Sequence, residues 1–219
     1  YRWKSKNNGY VWISCRGVLV RKNNINYMIG RVAEIGKKNR YDNITGLYTE
    51  SVFEEEYNSC IRNETHTGYG MLIGIDNFKE INEKYGSQAG DEVLSMLSAV
   101  LLKEASAQSF KVYRMKGDEY AVLMLDVSGD IAENARQLYK QIRTYIDKTI
   151  SDRGYAVFFN ISAGACTFDS QSDSFKELSK KMRFALHSAK LNGKNRFEFY
   201  DEKEYTWTEE QLKKTGLCK

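Results

Sequence analysis

The chain has 219 residues, 42% of them apolar and 13% aromatic, which is enough to bury a core and excludes wholesale disorder. Its 33 Lys and Arg against 29 Asp and Glu leave a net charge of +4. That balance is too mild and too evenly interleaved to bind nucleic acid by electrostatics alone. The longest mostly apolar runs, such as Tyr120 to Leu125, fall far short of the about 20 residues that a membrane span needs.

Residues 10–20 read YVWISCRGVLV and residues 25–35 read INYMIGRVAEI, rich in β-branched and aromatic side chains on either side of the turn-like Lys22-Asn23-Asn24. This predicts an antiparallel pair. Two strands cannot make an independent core, so residues 1–35 read as the closing strands of a domain, and 36–41 as a short linker. The first residue is Tyr1 and no basic, apolar, small-residue leader follows it. The chain is therefore expected to be a piece of something longer.

Beyond Asp42-Asn43-Ile44-Thr45-Gly46-Leu47, residues Val52, Phe53, Tyr57 and Cys60 or Ile61 recur at helical spacing. Gly70 to Asp76 reads as a buried strand, and Asp91 as the head of a helix with the stripe Val93, Leu94, Leu97, Val100, Leu101. Phe110 to Met115 and Tyr120 to Leu125 flank Lys116-Gly117-Asp118-Glu119, which predicts a β-hairpin. A helix through Ile131, Ala135, Leu138, Ile142, Tyr145 and Ile146 precedes a strand at Val157 to Cys166. The last helix carries Phe175, Leu178, Met182, Ala185, Leu186 and Ala189, stops at Asn192-Gly193, and leads into a strand at Arg196 to Tyr200. Residues 42–201 are thus expected to form an α/β (α+β) domain with a mixed, mainly antiparallel five-stranded sheet flanked by helices. Residues 202–219 form a charged tail or a linker to a further domain.

Four scattered cysteines, no CxxC pair and only two histidines, His66 and His187, argue against a zinc site or disulfide framework and for a reducing cytoplasm. There is no GxxxxGK[ST] and no GxGxxG, so neither a P-loop nor a dinucleotide fold is indicated. Three segments could carry chemistry. In the hairpin, Asp118 and Glu119 could hold a hard cation, although Asp and Gly also simply make a good turn. Asn82 and Asp91 stand nine apart across a glycine-containing turn. A carboxylate accepts from the N1–H and N2–H2 edge of guanine and an amide donates to ring acceptors, while a turn residue and a helix cap are the plainer roles. Lys190 and Lys194, four apart at a helix end, suit phosphates or merely complement the helix dipole.

In this order and spacing the segments resemble the GGDEF family, the diguanylate cyclase domain that condenses two GTP molecules into cyclic di-GMP. The likeness spans about residues 42–201. It rests on Asp42 to Leu47 for D-x-L-T-G-L, Phe78-Lys79-Glu80-Ile81-Asn82 for F-K-x-I-N, Gly90-Asp91 for G-D, Lys116 to Tyr120 for the signature, and Lys190 to Asn195 for K-x-x-G-[RK]-N. Residues 1–35 look like the end of a PAS sensor domain.

The resemblance implies that Asn82 and Asp91 bind guanine, that Lys190 and Lys194 bind phosphates, and that Phe78 and Lys79 belong to the GTP-binding segment. It also implies Asp118 and Glu119 as catalytic acids, and Mg²⁺ held by Asp118 and the Ile75 backbone. Several features depart from the pattern, among them Ser87 where many members have His and Tyr120 for the signature's Phe, a mild change. Gly74 stands where a metal-binding Asp is expected; Asp76 would share its face if the strand continued, but it sits where the chain must turn into Asn77-Phe78-Lys79 and is not expected to replace it. Lys116 replaces the first signature glycine, adding bulk and charge beside a triphosphate. The inhibitory R-x-x-D would fall on Ala107 to Phe110 and is absent, so product feedback there is not expected. The expectation is a GTP-binding domain, regulatory, with Mg²⁺ weak or absent, in one chain with a further domain such as an EAL phosphodiesterase. An active, homodimeric cyclase and a structural dimerisation spacer are the alternatives.

Overall fold

The computed structural model of the protein describes residues 2–5, 9–22, 25–35, 40–63, 67–153, 157–169 and 173–203. The chain divides into two compact units, Tyr1–Asn39 and Arg40–Lys219. In the first, β1 (Arg2–Ser5), β2 (Gly9–Lys22) and β3 (Ile25–Ile35) form an antiparallel sheet in that order. The two expected strands are there, with Lys22 opposite Ile25 and Trp12 opposite Ile35, and β1 is an addition. Most of the expected linker and of the tail beyond Lys203 lies outside the described residues.

The second unit begins with the Asp42 to Leu47 motif folded on itself. The Asp42 carboxylate accepts from the Thr45 amide at 2.9 Å and from its hydroxyl at 2.7 Å, a local turn that Asp is built to make. Next come β4 (Tyr48–Thr49), α1 (Glu50–Asn63), β5 (Thr67–Ile75), α2 (Phe78–Tyr85), α3 (Ser87–Gln108), β6 (Lys111–Arg114) and β7 (Glu119–Leu125). The unit continues through α4 (Ile131–Arg153), β8 (Ile161–Asp169), α5 (Phe175–Leu191) and β9 (Phe197–Phe199).

The six strands lie in the order β4-β6-β7-β5-β8-β9. Central pairs are antiparallel, and the outer pairs β4·β6 and β8·β9 are parallel. The α/β class stands, with one strand more than the expected five. At two residues β4 is too short to show a period of two. Helix α2 was not anticipated either, and β8 starts at Ile161 rather than Val157.

Alternation along β5 separates two cores. Tyr69, Met71, Ile73 and Ile75 pack with α3 and α4 residues such as Leu97 and Ile142. Leu72 packs on the other face with Phe53 of α1 and Leu178 and Met182 of α5. Helix α5 starts at a serine N-cap, with Ser174 Oγ accepting from the Glu177 amide at 3.2 Å. It lies hard against β8, since a Cβ built at Gly164 would stand 2.0 Å from the Leu186 backbone nitrogen. Among the described residues no helix is long and apolar enough to cross a membrane.

Gly164→Ala is therefore expected to push α5 off the sheet and cost about 1–3 kcal/mol; an unchanged thermal midpoint would refute the close packing. Burial pushes the Asp42 carboxyl up, but its Thr45 bonds and the nearby Arg114 charge outweigh this and hold it below the ordinary value. A depressed folded value adds stability above the unfolded value near about 3.9, lost as pH falls through the folded one. The stability gap between wild type and Asp42→Asn should accordingly narrow below about pH 4, as read by urea unfolding across pH.

Candidate functional site

The hairpin between β6 and β7 closes through Met115 N–H to the Glu119 carbonyl at 2.9 Å and Glu119 N–H to the Lys116 carbonyl at 3.3 Å. Gly117 carries the left-handed φ of +67°, so the turn requires its glycine at 117 and not at 116. Lys116 is exposed. Buried Arg114 braces the turn from below. Its guanidinium donates to the Glu119 carbonyl at 2.8 Å and to the Gly117 carbonyl, and lies 4.7 Å from the centre of the Tyr120 ring. Where the signature has Phe, the Tyr120 hydroxyl donates to the Leu94 carbonyl of α3 at 2.8 Å. Burial pushes that phenol up to about 12.

Beside the turn lies the end of β5. Gly74 pairs with Glu119 on one side and Ser162 on the other, and directly opposed residues share a face. That face is covered by α5. A Cβ at Gly74 would stand 2.8 Å from Lys190 Nζ, and the same ammonium lies 3.7 Å from Asp118 Oδ2. Two turns earlier on α5, Arg183 Nη1 lies 2.8 Å from Glu119 Oε2 and Nη2 lies 3.4 Å from Glu50 Oε1. The Ile75 amide donates to the Asp118 carbonyl at 3.3 Å.

Asp76 lies one residue beyond the end of β5, at the turn into Asn77. It is buried, with one carboxylate oxygen accepting from Ser162 Oγ at 2.7 Å and the other from the Asn195 amide at 2.8 Å. This ties the end of β5 to β8 and to the loop after α5. In that loop Gly193, Lys194 and Asn195 all have positive φ, and Lys194 Nζ donates to Asn77 Oδ1.

Asn82 lies inside α2 rather than in a turn, and α3 starts at Ser87, so Asp91 is its fifth residue rather than its head. A Cβ at Gly90 would stand 2.0 Å from Asn82 Oδ1 and 3.2 Å from Phe78 Cζ. The glycine of G-D thus lets α2 press on α3 and sets Asn82 against the residue before Asp91. Asp91 itself is exposed and borders a cleft of about 730 Å³ with Met96, Val100 and Tyr145. Lys79 is exposed and pairs with Glu83 at 3.4 Å.

Two clusters result, Asn82 with Gly90-Asp91 and Asp118 with Glu119 and Lys190, while Lys194 sits on Asn77. Arg114 and Arg183 were not anticipated. Arg183 precedes Lys190 by seven residues, two turns of one helix face, a spacing visible in the sequence. As a magnesium site the set does not fit. Asp118 already faces an ammonium, Glu119 is paired with a guanidinium, and a hard divalent cation needs several oxygen ligands without a competing cation. Among the described residues no group of three or more His, Cys, Asp or Glu could hold a metal ion.

The sequence profile of the diguanylate cyclase GGDEF domain matches residues 39–196, and the chain belongs to this family. It is 29% identical over 171 residues to the cyclic di-GMP phosphodiesterase NbdA of Pseudomonas aeruginosa, covering 77% of this chain and 21% of that protein. It is 30% identical over 161 residues to the probable diguanylate cyclase DgcC of Escherichia coli K12, covering 72% of this chain and 42% of that protein. The chain thus spans less than half the length of both relatives. Among solved structures, the GGDEF domain of PA1120 from Pseudomonas aeruginosa superposes with a TM-score of 0.65 at 23% identity, covering 77% of this chain and 99% of that one. The GGDEF domain of DgcB from Caulobacter crescentus, in complex with c-di-GMP, gives 0.62 at 19%, covering 75% and 98%. These likenesses show the fold.

Asp76→Ala should orphan the buried Ser162 hydroxyl, at a cost of about 1–3 kcal/mol, and release the Asn195 amide of the exposed loop. A variant that keeps the wild-type urea midpoint would show that the carboxylate does not hold the strand end.

Proposed function

We propose that residues 42–201 form a GTP-binding GGDEF domain of a cyclic di-GMP signalling protein, regulatory in role and with little or no cyclase activity. The observation that carries this reading is the end of β5, where Gly74 offers no carboxylate, the Lys190 ammonium fills the adjacent space, and Asp76 is spent on Ser162 and Asn195. In this reading the Asp91 carboxylate accepts from the N1–H and N2–H2 edge of guanine, which adenine lacks, and Asn82 donates to a ring acceptor. Lys190 and Lys194 take the phosphates as point charges, and Phe78 and Lys79 frame the nucleotide from α2. Mg²⁺ has only Asp118 and the Ile75 carbonyl to bind, so it contributes little.

The name of NbdA, a phosphodiesterase, supports a further EAL-type domain in the same chain, and the N-terminal sheet is read as the end of a PAS-like sensor. A cytoplasmic setting suits both. A second reading, an active homodimeric cyclase, is favoured by the presence of Asp118 and Glu119 on a well-braced hairpin and by the likeness to DgcC.

Calorimetric titration of GTP, with Mg²⁺ and with EDTA and with ATP as control, is the test. The expected result is binding that prefers GTP and hardly changes in EDTA. Binding only with Mg²⁺ would favour the cyclase, and no GTP binding in either buffer would overturn both readings. Gly74→Asp returns a carboxylate opposite Glu119 at the cost of moving only the flexible end of Lys190. It is expected to raise Mg²⁺-dependent product formation by on the order of 10²-fold, with Lys116→Gly added if the lysine obstructs. Unchanged Mg²⁺ affinity in both variants would remove position 74 from the metal site.

A further inference from the structure

We propose that Arg183 is a resident counter-charge: together with Lys190 it neutralises the two signature acids from one helix, doing the electrostatic work that a divalent cation would otherwise do. The proposal rests on the GTP-binding reading and extends it to a residue outside the family's motifs quoted above.

A triphosphate brought to the hairpin meets Asp118 and Glu119, and adjacent carboxylates repel an anion unless something screens them. Each acid has its own cation. Lys190 Nζ lies 3.7 Å from Asp118 Oδ2 and Arg183 Nη1 lies 2.8 Å from Glu119 Oε2. Both cations stand on α5, seven residues and about two turns apart, and the helix is seated on the sheet at Gly164 and Gly74. The four side chains are half-buried, with exposures between 21% and 42%, so bulk screening is incomplete.

Glu50 shares the guanidinium at the longer distance of 3.4 Å, leaving Glu119 the closer partner. Exposed Lys116 adds a further positive charge to the same loop. The acids Glu50, Asp118 and Glu119 thus stand with four bases, Arg114, Lys116, Arg183 and Lys190. A carboxylate at position 74 would stand directly opposite Glu119 and beside the Lys190 ammonium.

Two measurements test this, with thermal melting to confirm that each variant folds. In the first, Mn²⁺ alone is titrated by electron paramagnetic resonance. Wild type is expected to bind weakly, Arg183→Ala with Lys190→Ala to bind at least about tenfold more tightly because two carboxylates are released, and added Glu119→Gln to reverse the gain. A folded double variant with unchanged Mn²⁺ affinity would overturn the proposal.

In the second, GTP is titrated in EDTA. Arg183→Ala should weaken binding at least about tenfold, Arg183→Lys should recover part of it, and Arg183→Ala with Glu119→Gln should return close to wild type, because the repelling acid has gone. Wild-type affinity in Arg183→Ala would overturn the proposal. So would a loss that Glu119→Gln does not repair, since that would make Arg183 only a structural bridge between α1 and the hairpin. Should Arg183→Ala fail to fold, Arg183→Lys and Glu119→Gln carry the same comparison. If wild type binds no GTP in either buffer, the nucleotide reading fails, and the Mn²⁺ titration still decides whether α5 neutralises the acids.

Discussion

The seat of α5 on the sheet is the constraint on which the site depends. Gly164 offers no Cβ, so the backbone of α5 at Ala185 and Leu186 comes to within van der Waals distance of β8, and Leu178, Met182 and Leu186 close the apolar core beneath it. A helix set one side-chain layer further out could not bring Arg183 to Glu119 or Lys190 to Asp118. Long cationic side chains lose rotamer freedom when they are pinned, and close seating shortens the distance they must span. Packing between apolar surfaces, with one glycine as the contact point, is what makes the polar arrangement reachable.

At the end of the sheet, charge is balanced in a row. Glu119, Gly74 and Ser162 stand side by side on three strands, all facing α5. Glu119 is met by a guanidinium and Asp118 by an ammonium. Asp76, one step beyond the strand, is met by a hydroxyl and a backbone amide. Buried or half-buried carboxylates are held this way because an unpaired one is costly. Asp76 stabilises the end of β5 and the left-handed loop at Gly193 to Asn195. Arg114 performs the complementary task for the hairpin, since its guanidinium takes carbonyls of a turn that has no strand partner of its own.

Membership of the GGDEF family accounts for the order of the motifs, and the structure shows that several of them serve the fold directly. The opening D-N-I-T-G-L is a side-chain-closed turn. The glycine of G-D is the contact between α2 and α3, and Tyr120 ties the hairpin to α3 through its hydroxyl. The hairpin that carries Asp118 and Glu119 is braced in the same way, and each of these acids lies beside a cation of α5.

Much of the second unit was legible in the sequence, because burial on one face imposes a period of 3.6 on α4 and α5, while β5 and β7, buried on both faces, read as short continuous apolar runs. The motifs placed the hairpin, the strand end at Gly74 and the two lysines, one in the last turn of α5 and one just after it, in order. What the sequence by itself determined is the family, the α/β class, the glycine at 74 and the presence of Asn82, Asp91, Asp118 and Glu119. Two-residue β4 escaped because it is too short to express a period, whereas α2 falls in what reads as a glycine-containing turn, although Phe78, Ile81 and Tyr85 recur at helical spacing. Only the tertiary structure decided which charges meet: that Asp76 faces Ser162 and Asn195, that Lys190 lies over Gly74, and that Arg183 joins Glu119 to Glu50. The reason is physical. Periodicity reports which face of an element is apolar, whereas an ion pair depends on the distance between side chains 64 or more residues apart in the chain, and the packing of α5 against the sheet sets that distance.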